Sequence, residues 1–572
     1  MKLPPIISVK RRLLFLRLIG NGFLQALVTV VITLLIKSTF DNYFNAASTP
    51  AISLWHMALG FLGATLAISW LKFRERIDSE SVGQDYVHEL RIKMFAKYCN
   101  GDLRKLEQQS KGAIGLRFAT DLSALRQWIS LGLARLIVAG VNLVIALSVL
   151  CYINFILGIS VSLIILVSAL LSFSTGKKLR YTFVEARRKR SYLANNLNEK
   201  VSSLATVKVF GQRQREKNRV RRQSEKLMAA MHDRARAIGL LRAITEGGTV
   251  LASAIVLLIG ALLMSTNQAT PGTVVAALGV VNLLMQPLRH LGRIYEYRLN
   301  AGVAEEKIRS FLDTRPSVLA RHRKERSGHG ELRLKDVSFF PNNEAVNLRI
   351  TPGITIAILG VNGAGKSTIL SQFAGLLKPS GGKIYLGQND VCKLKDSALR
   401  QSVGMVGPNL PLLKGSVRNN ICYRHPNATE EEINFVVEHC GLEPLLASLP
   451  DGLDTKLKEA GRNLSQGECQ RIALARALIG TPELLILDEA DAFLDDEATA
   501  LFSEIVRSYP GIVVMATHNI EHVVMSDQIW LIDNGKLCWS GPREELPMNL
   551  YAELFESKVT ADSYKAGEAV DV

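Results

Sequence analysis

The stretch "ITIAILGVNGAGKST", residues 354–368, decides the architecture of the carboxy-terminal part of this chain. It opens with an unbroken β-branched and apolar run, the pattern of a strand buried on both faces. That run leads straight into Gly-x-x-x-x-Gly-Lys-Ser. In this phosphate loop the glycines let the backbone curl until its N–H groups face phosphate oxygens, the lysine reaches the outer phosphates, and the serine hydroxyl ligates Mg2+. Gly360, Val361, Asn362, Gly363, Ala364, Gly365, Lys366, Ser367 and Thr368 are therefore expected to hold a nucleoside triphosphate, with Ser367 also on Mg2+.

Two further strand-like runs lie downstream of the loop. "LLILDEA", residues 484–490, ends in Asp488 and Glu489. Asp488 is expected to hold Mg2+ through its water shell, and Glu489 stands where a base or water-orienting group is needed. "GIVVMATHN", residues 511–519, ends in His518, which is expected to contact a γ-phosphate and position the attacking water. A polar strand end or a lone histidine is usually structural. Their succession behind a phosphate loop makes them a set. From Glu331 onward strands alternate with helices, which predicts an α/β domain.

"NLSQGECQRIALARAL", residues 463–478, begins small and polar and continues as a good helix former. Leu464, Ser465, Gln466, Gly467 and Glu468 would present N–H groups, a hydroxyl and the positive end of a helix dipole to an anion. The phosphate loop already surrounds one side of its own nucleotide. The second anion site is therefore expected to face the γ-phosphate held by a second copy, with two nucleotides sandwiched between two domains.

The part before residue 300 has a different chemistry. The chain has 572 residues, 48% of them hydrophobic, with a mean hydropathy of +0.15, and its apolar residues concentrate there in runs too long for ordinary core helices. Segments 13–36, 51–71, 129–152, 155–174, 238–264 and 272–288 are each expected to cross a hydrocarbon layer. The third carries Arg135 and the sixth is short. Lys10, Arg11 and Arg12 precede the first span, and Lys72, Arg74 and Arg76 follow the second. A dense run, Lys177, Lys178, Arg180, Arg187, Arg188, Lys189 and Arg190, follows the fourth, whereas "STFDNYFNAASTP" and "STNQATPG" carry no Lys or Arg. Cytoplasmic loops retain positive charge, so both termini are expected in the cytoplasm, with no cleavable signal peptide.

The formal charge of +17 comes from 69 Lys and Arg against 52 Asp and Glu. These basic residues cluster beside the spans, where orientation and anionic lipid headgroups account for them, so nucleic-acid binding is not expected. Seven cysteines, Cys99, Cys151, Cys392, Cys422, Cys440, Cys469 and Cys538, have no metal-ligand spacing and suit a reducing cytosol. Nearly sixty charged, helix-friendly residues separate the second span from the third and the fourth from the fifth, which predicts helices continuing far beyond the membrane. The expected organisation is a membrane domain over 1–312, a Pro-, Ser-, Gly- and charge-rich linker over 313–330, a nucleotide-binding domain over 331–556 and a polar tail over 557–572.

Together these residues resemble the ATP-binding cassette transporters, specifically an exporter-type half-transporter with six spans fused to one nucleotide-binding domain, similar to bacterial lipid flippases and multidrug exporters. The resemblance runs from the basic amino terminus to about residue 545 and rests on the phosphate loop, "LSQGE", "LLILDEA" and "ATHN". It implies an all-α membrane domain before an α/β P-loop domain, with ATP and Mg2+ as ligands. "AFLD" resembles the family's D-loop and adds Asp495 to the ATP site; Glu459 stands where contact with the membrane domain is implied. "VSFFPNNEAV" offers Phe340, or Phe339, as the aromatic that stacks on the base. Ser465, Gln466, Gly467 and Glu468 match the family signature, with Glu468 where glutamine is usual. "VGPNLPLL" puts Pro408 where the family has a glutamine that ligates metal or water, with Asn409 beside it.

The expected function is an ATPase that exports or flips a hydrophobic or amphipathic substrate by alternating access, as a homodimer of half-transporters in the inner cell membrane, in contact with its lipids. Pro408 keeps a second reading open, a weakly active subunit of a heterodimer or an ATP-gated regulator. Arg242 and Glu246, four apart on the fifth span, have the spacing for a pair on one helix face inside the membrane, but the preferred reading is that this part of the helix projects below the bilayer.

Overall fold

The structure, a computed structural model, describes residues 3–44, 54–101, 114–115, 117–289, 291–313, 330–341 and 343–546. The predicted linker over 313–330 and the polar tail lie almost wholly or wholly outside the described residues, as do the first residues of the second predicted span. The chain divides into two compact units, Met1–Cys99 with Gln109–Arg315, and Asn100–Gln108 with Pro316–Val572.

The described part of the first unit is helical. Helix α1 spans Val9–Phe44, α2 Leu54–Cys99, α3 Ala134–Ile153, α4 Phe155–Ser202, α5 Arg213–Ser265, α6 Pro271–Arg289 and α7 Leu291–Asp313. Two π-helical turns, Arg117–Asp121 and Trp128–Leu133, lead into α3. Between α3 and α4 the break is one residue wide: Asn154 is extended at φ −154° and its side chain caps α4 by accepting from Leu157 N at 3.1 Å. The 53 residues of α5 make a helix of about 80 Å, against roughly 30 Å of hydrocarbon, so much of it extends beyond the membrane. That matches the continuation expected from its charged amino-terminal half. Five of the predicted spans fall on helices long and apolar enough to cross a membrane. The sixth falls on α6, whose described apolar stretch, Pro271–Asn282, is shorter.

The surfaces of these helices invert the pattern of a soluble protein. Leu163, Leu166 and Leu170 on α4, and Val250, Leu258 and Leu262 on α5, are exposed by half or more, as expected where the surroundings are lipid rather than water. Buried faces carry small or branched residues, among them Leu150, Val161, Ala252, Val256, Ala277 and Val281. Gly260 of α5 lets α6 approach closely: a Cβ there would stand 2.7 Å from Val274. Three charges have surroundings that the sequence left open. Arg11, read as an orienting charge, is 1% exposed and donates to Asp85 and Glu89 of α2 at 2.9 and 3.0 Å and to the Pro5 and Ile6 carbonyls. It ties the residues before α1 and the start of α1 to α2. Arg242 and Glu246 are both exposed, and among the described residues no ion pair joins them. A shared helix face allows a pair without enforcing one.

The second unit is an α/β domain whose described strands form three sheets. A four-stranded antiparallel sheet has the order β2-β1-β4-β5, with β1 Leu332–Ser338, β2 Val346–Ile350, β4 Gly381–Leu386 and β5 Asn389–Asp390. The central sheet has the order β12-β11-β3-β10-β9-β6, with β3 Thr355–Leu359, β6 Val403–Val406, β9 Leu484–Asp488, β10 Ile512–Ala516, β11 Gln528–Asp533 and β12 Lys536–Pro542. A two-stranded piece pairs β7 Gly415–Ser416 with β8 Lys456–Leu457. Within the central sheet only β12 runs antiparallel to its neighbour. Every residue of β3, β9 and β10 is buried, which is why these strands read as continuous apolar runs rather than alternations. Helices α8 Lys366–Phe373, α9 Gln466–Leu478, α10 Asp496–Ser508 and α11 Ile520–Val524 follow the strands. In α10, Ala498, Phe502, Ile505 and Val506 form the inward stripe expected at helical spacing.

Candidate functional site

Parallel strands β3, β10 and β9 are neighbours in close register: Ala516 pairs with Ile358 on one side and Asp488 on the other. Adjacent strands lie about 4.8 Å apart, so whatever follows their carboxyl ends is delivered to one edge of the sheet. The phosphate loop follows β3, the Asp488–Glu489 pair closes β9, and Thr517–His518 follow β10.

The loop's shape rests on its glycines. Gly363 and Gly365 adopt φ of +84° and +104°, and a Cβ on Gly365 would stand 2.6 Å from the Phe340 ring. Gly365 is thus the N-cap of α8 in a conformation that a side chain would strain. The loop is tied to the β11–β12 turn by Gly535 N donating to Ala364 O at 2.8 Å. Phe340 packs over Gly365 and Gly535, half-buried. Phe339 is 1% exposed and meets Phe373 edge-on at 6.0 Å, so it belongs to the core and leaves Phe340 as the aromatic beside the loop.

Lys366, nine-tenths buried, donates from Nζ to Gly360 O at 2.6 Å, and the same nitrogen stands 3.3 Å from His518 Nε2. Ser367 Oγ donates to Asp488 Oδ1 at 3.1 Å. Burial is the main reason that the Asp488 carboxyl lies above its ordinary value; the neighbouring Glu489 charge pushes the same way, and Ser367 and Lys366 oppose. A hydroxyl and a carboxylate whose negative charge is poorly solvated form a hard-oxygen donor pair that fits Mg2+. Glu489 itself sits at φ +50°, its N–H donating to Ala516 O at 3.0 Å and its carbonyl accepting from Gln470 Nε2 of α9 at 3.0 Å.

The signature residues close first on their own helix. Ser465 is the N-cap of α9; its Oγ accepts from Glu468 N at 3.3 Å while the Glu468 carboxylate accepts from Ser465 N at 2.7 Å. This capping box accounts for the Ser-x-x-Glu spacing: in this copy, the carboxylate of Glu468 answers the positive end of the helix. Gly467 lies against the Phe493 carbonyl. Asp495 caps α10 by accepting from Ala498 N at 2.8 Å. Pro408 and Asn409 are exposed in the turn after β6, and the preceding Gly407 faces Asp488, where a Cβ would come within 3.2 Å of the Asp488 Cβ. Pro408 supplies no side-chain ligand there.

Sequence reading did not single out the residues that hold these turns. Arg476 of α9, 9% exposed, donates to Leu410 O and Pro411 O at 2.5 and 3.0 Å and so fastens the Pro408 turn to the signature helix. Asp491 accepts from the Thr517 hydroxyl and lies 2.6 Å from His522 Nδ1. Both pairings are long-range; the one local hint is an acidic residue two positions after Glu489 in a turn of small residues.

Comparisons with known proteins point to one family. Residues 13–288 match the family model for the ABC transporter transmembrane region, and residues 343–492 match the model for the ABC transporter itself. The ATP-dependent lipid A-core flippase of Desulfotalea psychrophila is 26% identical over 531 residues, covering 90% of this chain and 91% of its own. The multidrug efflux ATP-binding/permease protein of Mycobacterium bovis is 26% identical over 536 residues, covering 92% of this chain but 44% of its own. A bacterial Atm1-family ABC exporter solved with ATP bound superposes with a TM-score of 0.81 at 22% identity, covering 96% of this chain and 98% of that one.

Proposed function

Because this chain belongs to the ABC transporter family, an integral membrane domain and an ATP-hydrolysing domain in one polypeptide, we propose that it works as a half-transporter whose two copies clasp two ATP molecules and move a hydrophobic or amphipathic substrate by alternating access. The observation that carries this reading is the convergence of Ser367 with Asp488 and of Lys366 with His518 at the ends of three adjacent strands. In the proposed cycle, Gly360–Thr368 cradle the phosphates with backbone N–H groups, Lys366 turns from the Gly360 carbonyl to the outer phosphates, and Phe340 stacks on the base. Ser367 and Asp488 would hold Mg2+, which would neutralise charge on the outer phosphates. Glu489 orients the attacking water and accepts its proton, and His518 keeps that water aimed at the outer phosphate. Ser465–Glu468 and Asp495 meet the nucleotide held by the other copy. The long extensions of α2, α4 and α5 carry closure to the spans, and release of phosphate resets them.

The proposed setting is the inner cell membrane with both termini in the cytoplasm, consistent with the basic residues beside the spans. Glu489→Gln in lipid nanodiscs is the direct test. Turnover should vanish while ATP-bound dimers accumulate; turnover at a normal rate would refute the assignment. Pro408, exposed and without a ligand atom, favours a second reading, in which this chain needs a different half-transporter as partner. Robust ATPase activity of the chain purified alone supports the homodimer, and silence of the wild type with ATP still bound supports the heterodimer.

A further inference from the structure

A polar chain joins the turn that carries Glu489 to the turn that carries His518. Asp491 Oδ2 accepts from the Thr517 hydroxyl and lies 2.6 Å from His522 Nδ1. Thr517 Oγ1 in turn accepts from Asn519 N at 2.9 Å. Thr517 and Asn519 flank His518, and Asp491 lies two residues beyond Glu489. One carboxylate therefore fastens both sides of the histidine turn to the turn that carries the proposed base.

The imidazole is costly where it stands. His522 is 0% exposed, its ring packs 4.9 Å from that of Phe502, and its Nε2 is buried with no hydrogen-bond partner among the described residues. A ring with no nitrogen would fill this space without an unpaired polar atom, so packing alone does not call for histidine. What the imidazole supplies is the Nδ1–H directed at Asp491. Although burial raises the Asp491 carboxyl, the bonds from His522 and Thr517 outweigh it and hold the group below its ordinary value. An ionised Asp491 only accepts, which turns the Thr517 hydrogen toward it and leaves the Thr517 lone pairs for Asn519 N–H.

Glu489 needs such support. It is a non-glycine residue at φ +50°, a conformation that persists only where its surroundings over-determine it. We propose that Asp491 and His522 form a buried positioning pair which, through the Thr517 hydroxyl, locks the Glu489 and His518 turns in their hydrolytic arrangement. The proposal rests on the assignment of hydrolysis to Glu489 and His518.

Steady-state ATPase of the full chain in nanodiscs tests it, with ATP binding and thermal midpoint measured on the same samples. Thr517→Val keeps the shape and removes the hydroxyl; His522→Phe keeps a ring on Phe502 and removes Nδ1–H. Each should lower kcat about tenfold or more while the KM for ATP changes less than about twofold. The double variant should lose little more than either single one, because both break the same link. Asp491→Asn, which retains an acceptor oxygen, should keep more activity than Asp491→Leu. Unchanged kcat in Thr517→Val and His522→Phe, or losses that follow folded fraction and KM, would overturn the inference. Glu489→Gln separates the two assignments. If it is silent while Thr517→Val and His522→Phe turn over normally, only the positioning pair falls; if it turns over normally, the catalytic assignment falls first.

Discussion

Ser367 Oγ and Asp488 Oδ1 stand 3.1 Å apart, joining the first turn after the phosphate loop to a strand end 121 residues further along the chain. Each side chain alone is an ordinary polar group. Together they place two hard oxygens beside the loop, with Asp488 buried enough that its charge is disfavoured without a counter-ion.

Asp488 therefore carries a pH signature. A carboxyl raised in the folded state above its ordinary value favours folding while protonated, and that contribution is lost as pH rises through the folded value. In chelator and without nucleotide, the wild-type thermal midpoint should lose ground against that of Asp488→Asn as pH rises from the ordinary aspartate range. Asp488→Asn should lack this component and be the more stable protein at neutral pH, yet hydrolyse no ATP. Equal slopes for the two proteins would disprove it.

Arg476 holds two backbone carbonyls from a nearly buried position. Arg476→Ala leaves Leu410 O and Pro411 O unpartnered and opens a void, and denaturant unfolding should report a loss of roughly 2–4 kcal/mol. Arg476→Lys should recover only part of it, since one ammonium does not reproduce the planar fork.

Gly365→Ala adds a Cβ within 2.6 Å of the Phe340 ring at a residue with φ +104°. Strain of about 1–2 kcal/mol is expected from the backbone alone, and ATP affinity should fall by roughly tenfold or more. Titration with a fluorescent ATP analogue measures this; full affinity would mean that the loop tolerates a side chain where it is proposed to cradle phosphate.

Ser465 has two separable roles. As N-cap of α9 its loss to alanine should cost about 1 kcal/mol, readable by thermal unfolding of the single chain. If it also faces the second nucleotide, Ser465→Ala placed in the Glu489→Gln background should prevent the ATP-trapped dimer. Trapping to the usual extent would leave only the capping role.

What could be read along the chain was what depends on neighbours along the chain. The apolar runs of β3, β9 and β10, the glycines of the phosphate loop and the first five spans all express local requirements of backbone and burial. Phe340 was legible only as one of two candidates, because both adjacent aromatics suit a strand end; the choice required knowing that Phe339 points into the core. For Arg242 and Glu246 helical spacing allowed a pair without enforcing one, and only the folded helix shows the two apart.

From the sequence by itself came the identity of the two parts, a lipid-facing helical domain and a phosphate-loop domain, together with the residues that bind and hydrolyse ATP as proposals. The tertiary structure alone decided that Asp491 meets Thr517 and His522 and that Arg476 holds the Pro408 turn. The first kind of information resides in periodicity and in backbone conformations that only certain residues adopt. The second depends on strand order and register, which bring distant positions within hydrogen-bond reach only after the sheet has formed.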